Sequence, residues 1–67
     1  MQISETEKAQ HQIIGNAKII IHLMEELKTL GIGKVEIWRK EEIYYSVKNN
    51  LEGILTQIKT INKNQKQ

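Results

Sequence analysis

"IGKVEIWRKEEIYYSV", residues 32–47, contains every aromatic side chain of the chain, Trp38, Tyr44 and Tyr45, and its reading decides the fold. Wound as a helix over this window alone, Val35, Ile37, Trp38, Ile43, Tyr44, Tyr45 and Val47 scatter around the axis and no face forms. Read as extended chain, order emerges: Val35 and Ile37 alternate with Glu36 and Trp38, and Ile43, Tyr45 and Val47 alternate with Tyr44 and Ser46. β-branched and aromatic residues are enriched, as strands prefer. A three-residue loop at Lys40-Glu41-Glu42 pairs Val35 with Val47, Ile37 with Tyr45 and Arg39 with Ile43. That register collects one apolar face and leaves Glu36, Trp38, Tyr44 and Ser46 on the other. The loop lacks the glycine or asparagine that normally takes its left-handed position. The alternation predicts a β-hairpin.

Helices are predicted on both sides of it. Ser4 followed by Glu7 is a capping box, and Glu5 and Glu7 suit the positive end of a helix dipole. From there Ile13, Ala17, Ile20, Met24 and Leu27 recur at spacings of three and four, with Ile14 and Ile21 widening the stripe. Gly31 and Gly33 are expected to end this helix, which runs from about 5 to 30. After the hairpin, Asn49 with Glu52 reads as a second cap, and Leu51, Ile54, Leu55, Ile58 and Ile61 form a narrow stripe. The expected fold class is therefore α+β: a small α-β-β-α domain, residues 1–61, with two helices packed on one face of the hairpin. Residues 62–67, "NKNQKQ", read as a disordered basic and polar tail.

Size points to self-association. At 67 residues the chain has room for one domain, and chains of this size bury only about 60% of their unfolded surface. They usually need disulfides, a metal or a second chain. There is no cysteine and there are only two histidines, which removes disulfides, thiolate chemistry and thiolate zinc sites. The first helix is also apolar over more than half its circumference. Ile19, Leu23 and Leu30 lie beyond its main stripe and are the candidate self-association surface of a homo-oligomer.

No pattern for chemistry stands out, and the chain is expected not to be an enzyme and to use no cofactor or small-molecule substrate. His11 and His22 share a helix side but sit three turns apart, about 16 Å, too far to hold one metal ion. Glu25 and Glu26 beside His22 read as a solvated face. Glu41, Glu42 and Glu36 at a hairpin tip lack the enclosed setting that separates carboxylate pKa values. "GIGK", residues 31–34, follows a helix instead of preceding one, so it is not a phosphate loop.

Binding is the remaining class. Trp38, Tyr44, Arg39 and Lys40 are the candidate partner-binding residues, because exposed Trp, Tyr and Arg are enriched at interaction hot spots. The leading expectation is a small regulatory protein that binds and modulates a protein partner, as a homo-oligomer. The alternative is a small DNA-binding transcriptional regulator of a phage or plasmid, contacting nucleic acid through Lys59, Lys63 and Lys66. The net charge of +2 argues against it, since residues 59–67 alone hold three lysines and no acid, leaving the rest at −1. A near-neutral body is a poor phosphate binder. Abundant Ile, Lys and Asn with one Arg suit an AT-rich source such as a mobile element. "MQISETEKAQ" lacks a signal-peptide pattern, and "IIGNAKIIIHLM" is too short and too polar to span a bilayer. A cytoplasmic protein with no membrane contact is expected.

Overall fold

The computed structural model describes residues 4–65 and contains two α-helices: α1, Glu5–Thr29, and α2, Lys34–Gln65. The predicted β-hairpin does not form. α2 runs unbroken through residues 35–47, through the predicted cap at Asn49, and on through residues 62–65. The molecule is a helical hairpin, and among the described residues there is no strand. The predicted α+β class is therefore corrected to all-α.

The physical reason lies at the supposed turn. Arg39-Lys40-Glu41-Glu42 consists wholly of strong helix formers, and nothing there readily takes the positive φ that a tight β-turn needs. A two-stranded sheet is marginal in isolation, whereas a continuous helix satisfies its own backbone residue by residue. Alternation over five or six residues is compatible with either state. The helical period only becomes visible when the window extends past Val47.

α1 begins as its capping residues predict. The Ser4 hydroxyl accepts from the Glu7 amide at 3.1 Å, and Glu5 and Glu7 occupy the first turn. Its other end differs from expectation. No described glycine has positive φ; the chain instead leaves the helix in extended geometry at Leu30, whose amide donates to the Leu27 carbonyl at 3.3 Å. Gly33 then starts α2, its carbonyl accepting from the Ile37 amide at 2.9 Å. The Glu36 side chain folds back into the space a Cβ at Gly33 would occupy.

The two helices lie antiparallel and meet along a seam with a seven-residue period. On α1 the enclosed or half-enclosed row is Thr6, Ala9, Ile13, Asn16, Ile20, Leu23, Leu27 and Leu30. On α2 it is Glu36, Arg39, Ile43, Ser46, Asn50, Gly53, Gln57, Thr60 and Asn64. The asymmetry matters. α1 brings mostly aliphatic side chains to the seam, while α2 brings one, Ile43. Among the described residues only Ala9, Leu23 and Ile43 are fully buried. Small residues let the helices approach closely, and the Asn16 amide lies where a Cβ at Gly53 would go.

Near the turn, Arg39 crosses the seam. Its Nε and Nη2 both donate to the Glu26 carboxylate, the latter at 2.7 Å, in a bidentate fork. Its Nη1 also donates to Glu42 at 3.4 Å. These donors hold the Glu26 carboxyl below its ordinary pKa, aided by the positive charges of Arg39 and His22, and the carboxylate raises that of Arg39. The pair fixes which levels of α1 and α2 stand side by side.

Candidate interaction face

The apolar residues that α2 withholds from the seam are not scattered. One row, turned about 75° from the middle of the seam, is Lys40, Val47, Ile54 and Ile61, all half-buried. The next, turned about 130°, is Ile37, Tyr44, Leu51 and Ile58, all exposed. Each repeats every seven residues over four heptads. α1 carries the matching pattern, with Ala17 and Met24 beside the seam and Ile14 and Ile21 beyond them. Because the helices are antiparallel, corresponding flanks of the two seams fall on the same side of the hairpin.

That side holds a shallow groove of about 480 Å³ lined by Met24 and Leu27 from α1 and by Ile43, Tyr44, Val47, Leu51 and Leu55 from α2. Lys40, Lys48 and Glu52 complete its rim. A second depression continues it across α1, over Ile20, Ile21, Met24 and Leu27. Of the thirteen exposed large apolar side chains among the described residues, eight belong to this face: Ile14, Ile21, Met24, Ile37, Tyr44, Leu51, Leu55 and Ile58. Contiguous apolar surface of this kind marks a contact site. The opposite side of the hairpin is mostly polar, with Glu5, Gln12, Glu26, Glu42, Asn49 and Thr56 along its flanks.

The residues singled out from sequence separate on this scaffold. Lys40 and Tyr44 line the groove. Arg39 is engaged by Glu26 and helps hold the hairpin together. Trp38 is 65% exposed and lies one heptad from Tyr45, on a different side of α2. Trp38 and Tyr44 therefore do not form the cross-strand pair a hairpin would make; Tyr44 instead packs edge to face on Tyr45, ring centres 5.2 Å apart. Of the self-association candidates, Leu23 is buried in the seam, Leu30 is half-buried and Ile19 is 47% exposed on the polar side. Lys59 and Lys63 are exposed on α2 away from the groove, and Lys66 lies outside the described residues.

Sequence reasoning missed Ile37, Leu51 and Ile58 as one surface. The signal was their seven-residue spacing through Tyr44, which the assumed hairpin cut in half.

Among the described residues no three His, Cys, Asp or Glu side chains gather in a metal-binding arrangement. His11 and His22 are both exposed on α1. No described helix is long and apolar enough to cross a membrane. Comparison with protein-family models, curated proteins and solved structures finds no match.

Proposed function

We propose that this chain is a small non-enzymatic interaction protein of the cytoplasm whose working surface is the apolar face of its helical hairpin. It binds helical protein surface through that face and acts by covering or reshaping what it binds. The observation that supports this reading is the open groove between Met24 and Leu27 on one helix and Tyr44, Val47, Leu51 and Leu55 on the other. Its walls are helical ridges with a heptad period, so the complementary object is another helix or helix pair. The polar rim, Lys40, Lys48 and Glu52, supplies orientation more than affinity.

The nucleic-acid reading has less support. Lys59 and Lys63 stand one turn apart on α2, two positive charges with Glu52 on the same helix. Such a track neutralises few phosphates, and binding through it would weaken steeply with salt.

Co-purification with the tagged full chain tests the proposal. Leu51→Glu places a charge in the groove and is expected to weaken capture of a groove-bound protein roughly 10- to 150-fold, the equivalent of losing one buried leucine. Helicity by circular dichroism should be unchanged, because Leu51 is 48% exposed in the hairpin. Trp38→Ala, on another side of α2, should leave capture intact. The reverse pattern would move the working surface to Trp38 and Tyr45.

A further inference from the structure

We infer that the apolar face is occupied by a second copy of this chain, related by a two-fold axis that crosses the helices, so that α2 packs antiparallel on α2 of its twin and α1 on α1. The inference rests on the reading of this face as the working surface and names its occupant. The geometry points to it in three steps.

First, the hairpin is one layer thick. Its extents are 52 × 21 × 13 Å, and the smallest is close to the diameter of a single helix, about 10–12 Å. The radius of gyration is 15.6 Å, whereas a compact domain of this length would have about 11 Å. Stable domains stack at least two layers around a core, and this chain supplies one.

Second, the missing area is the size of an interface. The chain exposes 5676 Å²; a compact monomer of its mass exposes about 4,400 Å². The excess, roughly 1,300 Å², exceeds the ~800 Å² each partner gives to a standard protein interface.

Third, the face is symmetric in the way a two-fold contact requires. On α2 the exposed row Ile37, Tyr44, Leu51, Ile58 is centred between residues 47 and 48. On α1 the corresponding pair, Ile14 and Ile21, is centred between residues 17 and 18. The Arg39–Glu26 fork sets the level of α1 against α2 and places those two midpoints side by side in the hairpin. One axis through both midpoints therefore lays each row onto its own image: Ile37 meets Ile58 of the twin, and Tyr44 meets Leu51. Such a contact is isologous and closes on itself. An axis parallel to the helices would instead set the long row of α2 against the short one of α1 and leave Ile37 and Ile58 uncovered. The product is an antiparallel four-helix bundle with coiled-coil spacing.

The chain has no cysteine, so single cysteines report the geometry cleanly. Light scattering of the full chain is expected to give twice the chain mass, and Leu51→Glu half of that. In the dimer, a cysteine at Lys48→Cys sits beside the axis and should join its twin through a short bismaleimide. Ile58→Cys should not, since its twin lies 21 residues away along the axis, about 31 Å. Ile58→Cys mixed with Ile37→Cys should join. A dimer that cross-links at Ile58→Cys alone, or fails at Lys48→Cys, overturns the proposed axis even if Leu51→Glu proves unfoldable. A monomer at every concentration that binds an apolar dye, with binding lost in Leu51→Glu, overturns the second copy and leaves the face as the working surface. A dimer indifferent to Leu51→Glu and to both cysteines overturns the two readings together.

Discussion

Gly15 and Gly53 are both helical glycines, yet they invite opposite treatment. Nothing lies within 4 Å of a Cβ built at Gly15, on the polar side of α1. Gly15→Ala should therefore realise the propensity gain of about 1 kcal/mol, seen as a melting temperature higher by roughly 4–8 °C. At Gly53 a Cβ would stand 2.9 Å from the Asn16 amide nitrogen. Alanine there requires Asn16 to swing aside and should give less than Gly15→Ala; Gly53→Leu wedges the helices apart and should destabilise. Thermal melts of the three variants, compared in one buffer, order them.

The Arg39–Glu26 fork makes a pH prediction of definite sign. Hydrogen bonds from Arg39 hold the Glu26 carboxyl below its unfolded value of 4.5. The stabilisation is thus fully present above that value and is lost as pH falls through the lower folded one. Both side chains remain about one-third exposed, so the effect is modest and weakened by salt. Glu26→Gln should lower the melting temperature at neutral pH, and the gap to the parent should close as the solution is acidified below 4.5. A gap independent of pH would mean the glutamine disturbs packing, not charge.

At the scale of the element, α2 shows where short-range reading of a sequence loses its grip. α1 was legible because its cap and its stripe agree, although the glycines expected to stop it do not take the left-handed conformation and the helix ends at Leu30. α2 was not, because its apolar residues avoid the face that meets α1. Within residues 32–47 they read as alternation, and only the run from Ile37 to Ile61 reveals the seven-residue repeat. The absent turn residue at Lys40-Glu41-Glu42 was the local evidence for helix. Half of the candidate face was legible in the same sense: Tyr44 and Lys40 stood out by type, while Leu51 and Ile58 were assigned to a separate helix. A substitution separates the two architectures. Proline at residue 41 fits a loop between strands but removes an amide donor and clashes with the preceding turn of a helix, costing about 3 kcal/mol or more. Glu41→Pro should reduce ellipticity at the helix minimum and destroy cooperative melting; a benign proline would restore the hairpin.

Across the whole molecule, the balance of forces is set by what the hairpin leaves uncovered. Among the described residues three side chains are fully buried, so the single hairpin encloses little apolar surface. The seam, with Ser46, Asn50, Gln57 and Thr60 on its α2 side, adds little apolar area. Pairing two hairpins buries Ile37, Tyr44, Leu51 and Ile58 on both copies at once, so association adds to the stability of each hairpin. Stability of a fold that pairs with its own copy rises with protein concentration. A hundredfold increase contributes about 2.7 kcal/mol per dimer, and for two chains of this length that moves the melting temperature by on the order of 10 °C. The parent chain should show that upward shift in scanning calorimetry. Leu51→Glu, unable to pair, should melt at a lower temperature that does not change with concentration. A parent melting point equally insensitive to dilution would mean that pairing contributes nothing to the stability of the hairpin.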